Sequence, residues 1–270
     1  MKTTLSVWTA YYVELSPEDA VRELKKHGIL SAELSDEHGK MLLDRGDPVE
    51  TGRQFRAFLA QEGFTMTQGH LWLKVRLCEE NAIPVLAQWL RLYEAIGIEN
   101  GVLHCDDLHE NTELTLAERY DRNYEALTRL CNETPDLKIR VCLENLTRIC
   151  QNADEICALV DRLPEGRFGV CLDTGHLNLN ENRDQAAFIR TAGSRLHALH
   201  IADNEGQRDQ HLMPFGRGNV DFAAVVQALR EVGYEGLFNL EIPGERLAPM
   251  EILGYKLEYI RRCYDWMMAH

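Results

Sequence analysis

No stretch of this chain approaches the roughly 18 uncharged apolar residues of a membrane span, and the opening MKTTLSVWTAYYVEL has no basic segment followed by a continuous apolar one. Membrane insertion and secretion are therefore not expected, and the chain reads as cytoplasmic. Positive charge is scarce as well: the formal net charge is -14, which leaves no overall basic footprint to release counterions from a phosphate backbone. Nucleic acid is not an expected partner. The eight cysteines are scattered with no C-x-x-C pair, so a disulfide framework is not indicated. Cys142 and Cys171 fall inside apolar runs, where a thiol usually acts as a small hydrophobe. The first apolar run is followed by Trp8-Thr-Ala-Tyr-Tyr where a doubly wound sheet usually carries a glycine-rich phosphate turn. Low-complexity segments, linkers and long repeats are missing too.

What is present is an ordinary soluble composition, 45% hydrophobic and 27% charged over 270 residues, enough for a large core. Closed α/β barrels commonly run to about 250 residues as one unit, so residues 1–270 are expected to form a single domain. Eight strand-like runs alternate with helix-like runs: Thr3 to Thr9, Ile29 to Leu34, Phe64 to His70, Asn100 to His104, Lys138 to Glu144, Phe168 to Asp173, Leu196 to Ile201 and Gly236 to Glu241. Between the first two, Ser16-Pro-Glu-Asp has a capping Ser, Pro at the first helical position and acids in the first turn. Asp221 opens a similar helix stopped near Gly233, and Met250 to Met268 forms the last one. Near-continuous apolar strands suit burial on both faces, which a barrel or a doubly wound sheet provides. The missing phosphate turn and the spread of chemistry along the chain favour an α/β fold of one (β/α)8 TIM barrel. The longest loops, Ser35 to Asp47 and Asp203 to Asn219, then follow strands two and seven on the active face.

His70, His104, Glu144, Asp173, His200 and Glu241 each end, or nearly end, one of these runs. A carboxylate after an apolar run is usually the first solvated residue of a loop. Their recurrence is what counts, because the C-terminal ends of barrel strands converge on one face and build one site. Glu144, Asp173, His200 and Glu241 form an oxygen-rich set suited to one divalent metal ion, manganese, magnesium, cobalt or zinc, with positions left for substrate oxygens. Arg148, Arg208, Arg217 and Arg246 are candidates for recognising an acid or phosphate group. Glu33 and His38, after strand two, are candidates to touch a polyol, and Trp8, Tyr11 and Trp72 to give a sugar ring an apolar face; solvated loop and packing roles are the plain alternatives.

Taken in order, Leu143-Glu144-Asn145, Cys171-Leu-Asp173-Thr-Gly-His176, His200-Ile-Ala-Asp203 with Asp209-Gln-His211-Leu-Met-Pro-Phe-Gly-Arg-Gly-Asn219, and Leu240-Glu241 resemble the xylose isomerase-like barrels over nearly the whole chain. That group includes sugar and sugar-phosphate isomerases and epimerases, inosose-processing enzymes and endonuclease IV. The resemblance implies that Glu144, Asp173, His200 and Glu241 are the single-metal quartet and that His176 faces the substrate. His70, His104, His211 and Arg217 complete the expected substrate-binding set. The same chain also matches the larger, three-zinc ligand set of endonuclease IV: His70, His104, Glu144, Asp173, His176, His200, Asp209, His211 and Glu241. Cys150, six residues after Glu144, departs from those ketose epimerases that carry a further substrate-binding Glu there.

The expected activity is that of a metal-dependent isomerase or epimerase of a sugar, sugar phosphate, keto-sugar or inosose. Glu144 and Glu241 are the catalytic acid and base, and the metal stabilises the enediolate charge. A lyase or dehydratase acting on an oxidised sugar is a close variant, and an endonuclease IV-like zinc phosphoesterase and a non-catalytic sugar-binding barrel are the rivals. The expected partner is a small-molecule carbohydrate, with no nucleic acid and no membrane; a homo-oligomer is compatible with the sequence.

Overall fold

The structure, a computed structural model, describes residues 2–181 and 183–270. Among them the strands are β1 (Thr4–Trp8), β2 (Ser31–Leu34), β3 (Thr65–His70), β4 (Asn100–His104), β5 (Arg140–Glu144), β6 (Phe168–Asp173), β7 (Leu196–His200) and β8 (Leu237–Leu240). All pairings between them are parallel, in the order β7-β6-β5-β4-β3-β2-β1-β8. Just beyond the ends of β7 and β8, Ile201 N donates to the Asn239 carbonyl at 2.8 Å and Glu241 N to the Ile201 carbonyl at 3.2 Å. The sheet is thus a nearly closed ring, a single (β/α)8 TIM barrel. The expected runs begin a residue or two before the paired strands at β1, β2, β3, β5 and β8, where the chain enters the ring before its neighbours are in register.

The helices are α1 (Pro17–Lys26), α2 (Asp36–Leu43), α3 (Pro48–Glu62), α4 (Ala82–Ile96), α5 (Leu116–Glu133), α6 (Ala153–Asp161), α7 (Thr174–Asn178), α8 (Gln185–Ala192), α9 (Phe222–Glu231) and α10 (Met250–Ala269). Short polar side chains start most of them. Ser16 accepts from Asp19 N ahead of Pro17, Thr115 and Glu118 form a reciprocal capping box, and Asp221 accepts from Ala224 N. The stretch after strand two is not the open loop expected from its polar composition. Ser35 caps α2 there, Asp36 and Glu37 fill its first turn, and Leu42 is buried. Gly39 lets this helix lie against α4, since a Cβ on it would stand 2.4 Å from the Trp89 ring. No helix among the described residues is long and apolar enough to cross a membrane.

Side chains alternate across a strand, so residues two apart face the same way. Val102, Cys142, Cys171 and Ala198 each precede a strand-end residue, His104, Glu144, Asp173 and His200, by two positions. All four are fully buried and pack on one another inside the ring. This plug of small side chains closes the barrel beneath its C-terminal mouth. Register does the rest: His104 lies beside Glu144 and Asp173 beside His200.

Candidate active site

Glu144, Asp173 and His200 are the last residues of β5, β6 and β7, and Glu241 follows β8. One ligand-type atom from each lies within 4.8 Å of the others. Glu241 is the most exposed at 6%. Each of the four has a buried atom that makes no hydrogen bond: Glu144 Oε1, Asp173 Oδ2, His200 Nδ1 and Glu241 Oε2. A buried polar atom without a partner costs about 1–3 kcal/mol, and more when charged. Three carboxylates and one imidazole, each with an orphaned atom at one point, are the donor set that suits a divalent cation of the manganese, magnesium, cobalt or zinc kind. The residues therefore fit a metal ion.

The imidazole is aimed from behind. His200 Nε2 donates to Glu33 Oε1 at 3.0 Å, since a carboxylate there can only accept, and this aims Nδ1 at Glu144 Oε2 at 3.1 Å and Glu241 Oε2 at 3.2 Å. Glu33 takes a second bond from the Asn239 amide, and Asn239 accepts from Ser6 Oγ at 2.8 Å. A buried relay thus crosses β1, β8, β2 and β7. Glu33 is fully buried within it, and both of its oxygens are engaged by His200 and Asn239. His38 is likewise enclosed, with Nε2 on the Leu15 carbonyl at 3.2 Å.

Asn145 holds Asp173 from the neighbouring strand. Its Oδ1 accepts from Asp173 N at 2.7 Å and its Nδ2 donates to the Asp173 carbonyl at 3.0 Å. Asp173 Oδ1 in turn caps α7 by accepting from His176 N at 2.6 Å, which turns the other oxygen to the cluster. His176 Nδ1 stands 2.9 Å from Glu144 Oε1 but is aligned on the Asn145 carbonyl at 3.1 Å. His104 Nε2 and His70 Nε2 approach Glu144 Oε2 at 3.1 Å and 3.5 Å. Burial pushes the Glu144 carboxyl up, yet His200 and His104 beside it hold it well below the ordinary range. Glu241 goes the other way: burial carries it to about 8 against His200 and His211. Against burial, the acidic groups around His200, Glu241, Glu33 and Glu144 among them, raise its imidazole well above the usual value.

A second group lies outward. His176 Nε2 and His211 Nε2 both face Asp209 Oδ2, at 3.3 Å and 3.2 Å, and these three also have the spacing of a metal site. His211 adopts a left-handed φ of 44° and is held by the Glu241 carbonyl at 2.8 Å from Nδ1. Burial lowers His211, but Asp209 and Glu241 carry it to about 10. Gly218 makes room for this loop's anchor: a Cβ there would lie 2.1 Å from the Asp203 carboxyl, which accepts from Asn204 N and Val220 N at 2.9 Å and 3.0 Å.

The structure thus brings together His70, His104, Glu144, Asp173, His176, His200, Asp209, His211 and Glu241. It does not bring in Arg217, whose side chain is 67% exposed and faces Glu205 at 3.7 Å. Tyr11 and Trp72 serve packing: the Tyr11 hydroxyl donates to the Leu253 carbonyl at 2.7 Å, and Trp72 stacks on Trp89. Cys150 is fully buried, its N donating to the Tyr120 hydroxyl at 2.8 Å. Glu33, Asn145 and Asn239 are the positioning residues missed in the sequence. Period two offered a signal for Asn239, which precedes Glu241 by two.

A family model described as the xylose isomerase-like TIM barrel matches residues 21–263. An L-ribulose 3-epimerase from Methylomonas sp. (strain DH-1) is 30% identical over 160 residues, covering 52% of this chain and 54% of that one. A D-psicose 3-epimerase from Enterocloster bolteae is 28% identical over 206 residues, 70% of this chain and 65% of that protein. The chain therefore spans about half to two thirds of the length of these curated relatives. A solved D-psicose 3-epimerase with D-tagatose, from Clostridium cellulolyticum H10, superposes with a TM-score of 0.81 at 19% identity over 99% of both chains, a likeness of fold.

Proposed function

The chain belongs to the xylose isomerase-like TIM barrel family, and on that premise we propose that it is a divalent-metal-dependent isomerase or epimerase of a sugar, with ketose epimerisation the leading reaction. The observation that carries this reading is the quartet of orphaned atoms on Glu144, Asp173, His200 and Glu241. When bound there, a divalent cation supplies positive charge that stabilises the negative charge developing on a substrate carbonyl and its neighbouring hydroxyl. Asp173 and His200 hold it, and Asn145 and Glu33 keep those two ligands aimed. Glu144 and Glu241 stand on β5 and just past β8, on either side of the cluster, so one takes a proton from the carbon beside the carbonyl and the other returns one. Epimerisation needs both faces; aldose-ketose isomerisation can use one. His176 reaches the mouth, where a substrate oxygen would take its Nε2–H in place of Asp209.

The reading is tested by incubating the metal-loaded protein with a panel of ketoses and inososes in D2O. Deuterium enters at a carbon next to the carbonyl, and chelation stops it. A panel with no exchange under any metal overturns the proposal. One observation favours a second reading, an endonuclease IV-like phosphoesterase. The nine gathered residues form overlapping metal-capable groups, His70-His104-Glu144, the quartet, and His176-Asp209-His211. Against it stands the charge of -14, which disfavours a phosphate backbone. Cleavage of DNA containing an abasic site, together with three zinc ions per chain, is the outcome that establishes it.

A further inference from the structure

Beside the quartet, between the loops that follow β3, β4 and β5, opens a cavity of about 430 Å³. It is continuous with the reaction centre, because His104 and His176 line it and both also touch Glu144. We propose that this cavity is a subsite for a neutral glycosyl substituent, so that the preferred substrate is a ketose carrying a second sugar at the end away from its carbonyl. The inference rests on the ketose reading above and adds the substrate class.

Three observations support it. The first is size: the volume lies within the range of about 300–1,000 Å³ typical of small-molecule pockets. The second is the wall. Leu73, Val75 and Leu146 form an apolar side, and Leu73 stays 45% exposed there, surface that gains by being covered. Thr147, Arg148 and Asp107 add donors and acceptors for hydroxyl groups to the same lining. A sugar ring presents an apolar C–H face and a hydroxyl edge, and a lining of both kinds can meet each. The third is charge. Arg76 is paired with Asp106 at 3.3 Å and Glu110 at 2.8 Å, and Arg148 faces Asp107 at 3.6 Å. A phosphate group entering the cavity would compete with carboxylates already beside both guanidiniums, whereas a neutral substituent meets no such penalty.

Three ketoses that differ only at carbon 6 test this: D-fructose, isomaltulose with a glucosyl group there, and fructose 6-phosphate. Turnover is read as deuterium exchange by the metal-loaded protein, and binding is read separately by calorimetry. Isomaltulose should exceed D-fructose in kcat/KM by about 10-fold, mainly through KM, and bind more tightly, with fructose 6-phosphate below both. Leu146→Asp and Leu73→Asp should each shrink the isomaltulose-to-fructose ratio by about 10-fold; the second sits in an exposed position, so folding is not at stake. D-fructose or fructose 6-phosphate turning over as well as isomaltulose overturns the subsite and leaves the ketose reading standing. No binding preference for isomaltulose likewise overturns the subsite, and only a failure of exchange across the whole panel of ketoses and inososes defeats the ketose reading as well.

Discussion

Two clusters share the mouth of this barrel, and they settle their charges differently. In the inner one, Glu144, Asp173, His200 and Glu241 are nearly sealed from water, come from four successive strands, and leave an atom apiece without a hydrogen bond. In the outer one, Asp209 is 39% exposed and takes the outward Nε2 of both His176 and His211, whose Nδ1 atoms rest on backbone carbonyls. The difference lies in the scaffold. Strand ends in fixed register can hold like charges together against their repulsion, because the backbone ladder pins them. The loop carrying Asp209 instead closes its own His211, and His176 from α7, with one carboxylate. The inner cluster is therefore suited to a cation, while the outer one already pairs its own charges.

The largest effects should come from the inner carboxylates. Glu144→Gln and Glu241→Gln each remove a proton carrier while keeping an oxygen in place, and kcat should fall by about 10²- to 10⁴-fold with a much smaller change in KM. Steady-state kinetics on both variants check this; normal rates would erase the distinction between the clusters. His176→Asn, which touches both groups, should cost less.

Next in size is Glu33→Gln. This carboxylate makes no contact with substrate in the account above, yet it sets which nitrogen of His200 faces the quartet. Metal affinity, read by titration, should weaken by about 10- to 100-fold. Asp209→Asn should leave that affinity within a few-fold, and an equal loss would merge the two clusters into one site.

The smallest expected effect is a pH slope. His200 is held well above its ordinary value and Glu241 is raised to about 8, so in the metal-free protein both carry protons at neutral pH. A cation must displace them; binding therefore releases protons, and affinity should rise with pH through neutrality and weaken as pH falls. Calorimetry in buffers of different ionisation enthalpy reads the proton count. A pH-independent affinity would place the ion on groups already deprotonated.

Much of this was legible in the sequence because parallel strands deliver their last residues to one face. A run such as Phe168-Gly-Val-Cys-Leu-Asp173 fixes both strand and site at once. Glu33 was not legible. It reads as a candidate polyol contact or a solvated loop residue, because the partner that explains it, His200, lies 167 residues away. The helix after β2 was hidden by polar composition, although Ser35 and the two acids behind it carried the capping signal. Arg217 was chosen for its charge and its place in the run Asp209 to Asn219, and neither shows that its loop turns it to solvent.

The claim that the inner cluster holds the ion and the outer one does not is tested most directly by elemental analysis of the intact protein after equilibration with manganese or zinc and removal of the excess. The account predicts about one ion per chain, lost in Asp173→Asn and retained in Asp209→Asn. Three ions per chain, or one that departs with Asp209 and stays without Asp173, would contradict it.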